Sequence, residues 1–155
     1  MPAGYTVETA GDVALSAATA KTILNVVPAA NSPLRIVEIG VSFDGTSTTG
    51  TPVVVELCKS TQATAGTSTS QTPQQSRGPL RTVQASGARS YTAEPTVLTT
   101  IKRWRIHPQA GVIYLLPLGR EIEAFDVAAS TKGLCLRVTS AQTQNAQGYI
   151  EFEEG

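Results

Sequence analysis

The sequence predicts an all-β protein, an antiparallel β-sandwich of jelly-roll type with long polar loops. Three observations lead there. Helical periodicity is scarce, while short runs of alternating or β-branched residues recur along the chain. The stretches between them are rich in Gly, Asp, Asn, Ser, Thr and Pro, the residues that turns require. No strand alternates with a helix-sized segment, which argues against a parallel sheet. The 155 residues fit a single domain over 1–155, because chains split into several cores only beyond roughly 250–300 residues.

Taken in order, Tyr5–Thr9 is a weak strand, and residues 1–20 read as an N-terminal arm. Ala14–Ile23 is the best helical candidate, being rich in Ala. It runs straight into Thr22-Ile-Leu-Asn-Val-Val27, so most of it reads as loop or strand. Lys21–Val27 is a better strand. Leu34–Asp44 is the strongest, with Arg35, Val37, Ile39, Val41 and Phe43 on one face and Glu38 and Ser42 on the other. Thr51–Ser60 follows, placing Val53, Val55 and Leu57 together and Glu56 opposite. Thr96–His107, Val112–Leu118, Glu121–Val127, Leu134–Thr139 and Gly148–Glu154 complete the series.

The connections have turn chemistry. Asp44-Gly-Thr-Ser-Thr-Thr-Gly50 should close a hairpin between two strong strands, and His107-Pro-Gln-Ala-Gly111 and Thr131-Lys-Gly133 read the same way. Gln142–Gly148 reads as a polar loop before the last strand. Residues 61–90 contain almost no large apolar side chain and read as a long loop excursion, a contact element on the surface. The long crossovers favour a jelly roll. An immunoglobulin-like sandwich is its nearest rival, since Cys58, Trp104 and Cys135 stand in the order that fold uses.

Composition narrows the chemistry. Twelve basic and twelve acidic residues cancel, and only 15% of residues are charged. That excludes a globally basic nucleic-acid binder and an acidic disordered tail. His107, the single histidine, precedes Pro108 and reads as a turn residue rather than a general base. Glu121 and Glu123 should share a strand face, as a glycosidase pair could, but aromatic sugar platforms are scarce. Cys58 and Cys135 read as two separate, half-buried thiols. One His and two distant Cys do not make a zinc site, and the Asp44 loop lacks a second carboxylate for calcium. Neither a metal nor a cofactor is expected, nor an enzyme. No apolar run reaches membrane-spanning length, no secretory signal is visible at the start, and a reducing cytoplasm fits the cysteine usage.

Charge is segregated along the chain. Arg77, Arg81, Arg89, Lys102, Arg103 and Arg105 stand against one acid, Glu94. The acids gather at Glu121, Glu123, Asp126 and the C-terminal glutamates. Solvated surface is the plain reading. The alternative is a basic edge, carried by Arg77, Arg81, Arg89, Arg103 and Arg105, that meets an acidic partner. Interleaved aromatics for stacking nucleic acid are missing.

Three segments carry a resemblance: Leu34-Arg-Ile-Val-Glu-Ile-Gly-Val-Ser-Phe-Asp-Gly45, Leu116-Pro-Leu-Gly-Arg-Glu-Ile-Glu123 and Tyr149-Ile-Glu-Phe-Glu-Glu154. In this order they resemble head-associated structural proteins of tailed bacteriophages. The resemblance covers the chain from about residue 34 onward. It implies a jelly-roll capsid decoration (cement) protein, commonly a homotrimer, made in the host cytoplasm and seated on the virion's outer surface. The partner it implies is the major capsid protein. Arg120, Glu121 and Glu123, with charges of both signs after the Pro117 turn, would suit a subunit interface. Another virion part, such as a tail, fibre or tube subunit, and a carbohydrate-binding module are the alternatives.

Overall fold

A computed structural model describes residues 2–61, 66–96, 98–124 and 132–155. Asp126, Thr131 and the end of the Glu121–Val127 strand lie outside the described residues. The described residues form thirteen strands and no helix: β1 (Ala3–Glu8), β2 (Val13–Leu15), β3 (Ala20–Val27), β4 (Leu34–Phe43), β5 (Val53–Thr61), β6 (Thr67–Ser70), β7 (Gln74–Arg77), β8 (Ser86–Ala93), β9 (Thr99–Ile106), β10 (Gly111–Leu115), β11 (Ile122–Ala124), β12 (Lys132–Thr139) and β13 (Gln144–Glu154). They make two antiparallel sheets. Sheet A runs β10-β4-β13-β1-β7, with β11 also on β4 and β2 also on β13; sheet B runs β6-β8-β3-β12-β5-β9.

The sheets pack face to face as a sandwich. Val7, Ile36, Ile39, Ile150 and Phe152 from sheet A and Ile23, Leu57, Leu134, Leu136 and Val138 from sheet B are almost wholly buried in one core. Each such side chain contributes roughly 1.5–3 kcal/mol when taken from water. Alternation puts every second residue of these strands on the inner face, which is why the apolar positions fall at a period of two.

The register corrects the reading of the strongest strand. Glu151 pairs with Glu38 but Phe152 pairs with Ile36, so Val37 is an extra residue on β4. Such a bulge reverses the alternation. Leu34 and Ile36 therefore point inward along with Ile39, Val41 and Phe43, while Arg35 joins Glu38, Gly40 and Ser42 outside.

Two turns are not hairpins. β4 lies in sheet A and β5 in sheet B, so Asp44–Gly50 crosses between sheets. Its anchor is the Asp44 carboxylate, which accepts from the Asn145 backbone N–H at 2.6 Å and from Asn145 Nδ2 at 2.7 Å. His107–Gly111 likewise crosses from β9 to β10, with Ala110 N–H donating to the His107 carbonyl at 2.9 Å. The Gln142–Gly148 segment is mostly strand, because Gln144, Asn145 and Ala146 pair with Leu15, Ala14 and Val13. Lys132 and Gly133 are the start of β12.

The N-terminal arm over residues 1–20 is replaced by structure. β1 lies between β13 and β7, and Ala3, Tyr5 and Val7 are core residues. Tyr5 stacks on Phe152 with ring centroids 5.8 Å apart and donates its hydroxyl hydrogen to the Arg81 carbonyl at 3.1 Å. Residues 61–90 are likewise not one loop, since they hold β6, β7 and the start of β8. Polar strands here are stabilised by ladder bonds and side-chain clamps, so hydropathy gives no signal for them. The clamps come from the last strand. Arg77 meets Glu151 at 3.3 Å and Glu153 at 2.8 Å. The buried Glu154 carboxylate accepts the backbone N–H groups of Gln84 (3.0 Å) and Ala85.

Tyr5→Ala should cost about 3–5 kcal/mol of stability in a denaturant titration. Removing residues 2–8 should abolish cooperative unfolding, because β13 and β7 would lose the strand between them.

Candidate interaction surface

The basic residues singled out from sequence do not form one patch. Arg77 is on β7, Arg81 follows it and Arg89 is on β8; Arg103 and Arg105 are on β9. β7 is the last strand on one side of sheet A, and β9 ends sheet B on the opposite side, where Trp104 packs against Tyr114 of β10 with centroids 5.1 Å apart. Several are engaged internally. Arg77 serves the C-terminal acids, Arg89 Nε donates to Gln71 Oε1 at 2.9 Å, and Arg103 Nε donates to Glu56 Oε1 at 2.9 Å. Among the described residues no acid pairs with Arg81, Arg105 or Arg120.

Arg120 and Glu121 lie in a turn after β10, closed by Arg120 N–H donating to the Pro117 carbonyl at 2.9 Å. Backbone N–H groups of Glu121 and Gly119 hold the Glu121 carboxyl below the usual range. Glu123, on β11, pairs instead with Arg35 at 3.1 Å, where both side chains are at least half exposed. Such an exposed pair contributes at most about 1 kcal/mol.

The outer face of sheet B holds a buried polar band that the sequence does not disclose. Arg137, Glu56 and Arg103 are successive cross-strand partners on β12, β5 and β9. Arg137 Nε donates to Glu56 Oε2 at 2.9 Å, and the Glu56 side chain is 6% exposed beneath an Arg103 that is 62% exposed. Burial works to raise the Glu56 pKa, but the hydrogen bonds from Arg137 and Arg103 and the Arg137 charge outweigh it and hold the carboxyl below its ordinary value. Thr22, the partner of Arg137 on β3, receives the Glu94 carboxylate on its backbone N–H at 2.6 Å. The only signal in the sequence is Glu56 standing alone on its strand face; Arg137 carries none.

One row along, Cys135 and Cys58 are direct cross-strand partners, both free and fully buried. They form no disulfide, as the sequence reading has it, but they are fully buried rather than half-buried, and they are neighbours because β12 and β5, distant in sequence, are adjacent in sheet B. Burial raises the Cys58 thiol and pushes Cys135 up to about 12. Thiols in that state are protonated at neutral pH and are poor nucleophiles. His107 is a turn residue: Gln109 N–H donates to its Nδ1 at 3.1 Å, which leaves Nε2–H to donate to the Thr48 carbonyl, also at 3.1 Å.

On the outer face of sheet A, Ile113, Gly40, Tyr149 and Glu8 form one row across four strands. The Tyr149 ring lies over Gly40 so closely that a Cβ there would collide with it. Its hydroxyl donates to Glu38, and burial together with that carboxylate pushes the Tyr149 pKa up to about 12. Beyond Gly40 the surface is apolar. Ile113 is 68% exposed, Leu115 66% and Leu118 95%. The continuous apolar run Gly111–Leu118 is strand-sized in the sequence. At a sheet edge only Val112, Tyr114 and Leu116 turn inward.

No family model matches the chain, and no curated protein sequence matches it. Structures of infectious bursal disease virus share a weak likeness. The Gx strain is 14% identical with a TM-score of 0.26, and the match covers 99% of this chain and 42% of that one. The D431N mutant VP2 protein, in T=1 particles, is 13% identical with a TM-score of 0.29, covering 98% and 40%. The chain spans about two-fifths of those chains' length. At TM-scores this low the likeness carries neither fold nor function to this protein.

Glu56→Gln should lower stability by about 1–3 kcal/mol at pH 7, since two arginines lose their carboxylate but Arg103 can turn to water. Because the folded-state pKa is depressed, the wild-type advantage is complete above the ordinary value of 4.5 and is lost as pH falls below it. Denaturant midpoints measured from pH 7 to pH 3 should therefore converge for the two proteins.

Proposed function

We propose that the chain is a non-enzymatic virion structural protein, specifically a capsid decoration protein of jelly-roll fold. It binds the major capsid protein on the outer face of a phage head, as a homotrimer. One observation carries the reading. The three segments that resemble phage head-associated proteins, far apart in sequence, fall together: they hold β4, the first two residues of the β11 that pairs with it, and the second half of the β13 that pairs along its length. That the segments carrying the resemblance lie in one packed block is what a shared framework leaves behind.

The strand order supports the jelly-roll part. β1-β13-β4-β10 faces β3-β12-β5-β9, and β3, β4 and β5, like β9, β10, β12 and β13, pass mainly from sheet to sheet. A sandwich with Arg35, Arg77, Arg103 and Arg137 held in internal ion pairs suits a part that acts by contact. Many weak contacts repeated over a shell sum to tight attachment. Of the five arginines singled out from the sequence, Arg81 and Arg105 are the exposed ones without an acid partner among the described residues and would meet an acidic shell, with Arg120, Glu121 and Glu123 at copy-to-copy contacts. Arg77, Arg89 and Arg103 have internal roles and are weaker candidates.

The test is co-sedimentation with empty shells assembled from the cognate major capsid protein. Saturable binding is expected, and Arg81→Glu with Arg105→Glu should lower occupancy at least tenfold without changing the thermal midpoint. No binding to shells at any ratio would overturn the reading.

A further inference from the structure

The four edges of the sandwich differ in how they are closed to other strands. β7 carries Arg77 and a register shift against β1; β6 is short, polar and shifted against β8; β9 carries Lys102, Arg103 and Arg105 and a bulge opposite Leu57 and Cys58. Those are the devices that stop strands adding to an edge. β10, Gly-Val-Ile-Tyr-Leu, has no charge, no proline and an unbroken register against β4. Among the described residues no strand pairs with its outer edge. It also bears Ile113 and Leu115, each about two-thirds exposed.

We propose that β10 is an assembly strand, which pairs antiparallel with β10 of a second copy of this chain about a two-fold axis at Ile113. The backbone sets that register. Ala110 accepts from Phe43 N–H and Leu116 N–H donates to the Val37 carbonyl, so residues 110, 112, 114 and 116 turn their peptide groups to β4. Gly111, Ile113 and Leu115 therefore present theirs outward. With Ile113 opposite its own copy, Gly111 meets the second copy's Leu115, and each of the facing pairs exchanges both ladder bonds. Side chains agree with that register. Gly111 has no side chain to obstruct the leucine across from it, and two isoleucines meet at the centre of the apolar face.

Charge agrees as well. Glu121 lies just past the Leu115 end of β10. Arg105, which has no acid partner among the described residues, lies at the Gly111 end, joined to it by the tight His107–Ala110 turn. Antiparallel pairing brings Arg105 to the end where the second copy's adjacent Arg120 and Glu121 stand, twice over, so each joint end holds two cations and an acid able to bridge them. Two five-residue strands bury less than the roughly 1,200 Å² of a stable interface, so the contact is weak and concentration-dependent. It is a property of the free chain and does not depend on the virion reading.

Sedimentation equilibrium of the full chain tests it, from micromolar to about 1 mM. The mass should double from whatever species exists in dilute solution. Ile113→Lys should weaken the doubling at least tenfold while the circular dichroism spectrum and thermal midpoint stay unchanged, since the side chain is exposed. Ile113→Cys treated with a short bis-maleimide should form a covalently linked pair, because hydrogen-bonded strand partners have their Cα atoms about 5.5 Å apart, within the span of such a linker. Each introduced thiol adds across one maleimide double bond and its hydrogen passes to the neighbouring ring carbon, so nothing is oxidised and nothing leaves. A mass that never doubles, a doubling indifferent to Ile113→Lys, or no linked pair from Ile113→Cys would each overturn the proposal.

Discussion

The ladder between β4 and β13, from Ala146 opposite Phe43 to Glu154 opposite Leu34, is what the remaining architecture hangs on. Both strands bury one face against sheet B, so their register decides which side chains reach the core. β13 offers its far edge to β1 and β2, while β4 offers its own to β10 and β11. Slipping this ladder by one residue would expose Ile150 and Phe152 together and unseat Tyr5 from its stack. The Val37 bulge is the adjustment that keeps both halves of β4 apolar on the inside. It also sends Arg35 outward, where it meets Glu123.

The same last strand organises a region with no core of its own. Residues 67–85 are too polar to offset their conformational entropy by burial. They are ordered instead by what β13 presents to them: Glu151 and Glu153 gripping Arg77, and Glu154 taking the backbone N–H groups of Gln84 and Ala85. Charges at a strand end look like solubilising decoration in a sequence, yet here each has an assigned partner far away along the chain. The buried Glu154 is the clearest case, because a carboxylate removed from water without such donors would be heavily penalised.

Local pattern makes the fold class legible, and non-local pairing hides the rest. β3, β4, β5, β12 and the end of β13 announce themselves through β-branched alternation, since their inner faces are fully buried. β1 is easily underrated because Ala3-Gly4-Tyr5-Thr6-Val7 is short and small, although its central place gives it three core residues. β6 and β7 have no apolar stripe at all. The Asp44 and His107 turns have hairpin chemistry, but turn residues fix a reversal and not the sheet that receives the next strand. The basic run from Arg77 to Arg105 shows the same limit. The chain crosses the whole width of the sandwich between those residues, so neighbours in sequence end on opposite sides. The Glu56–Arg137 pair is invisible for the converse reason, being adjacent in space and distant in sequence.

The distribution of charge also explains why one edge is left bare. Of the ionisable groups on the outer face of sheet B, Arg137, Glu56 and Arg103 are tied across three strands, and Thr22 holds Glu94 at the other side. On the β7 side Arg77 is tied to the C-terminus. Among the described residues four of the twelve cations, Arg35, Arg77, Arg103 and Arg137, are committed to ion pairs within the sandwich. β10 is left with neither a lysine nor a bulge to repel a strand. A chain evolved to stay solitary needs only one such residue at Ile113 or Leu115, which are exposed positions where a charge is sterically free. That both are aliphatic, in phase with the outward-facing peptide groups of the same strand, ties the exposed side chains and the unpaired backbone to a single cause.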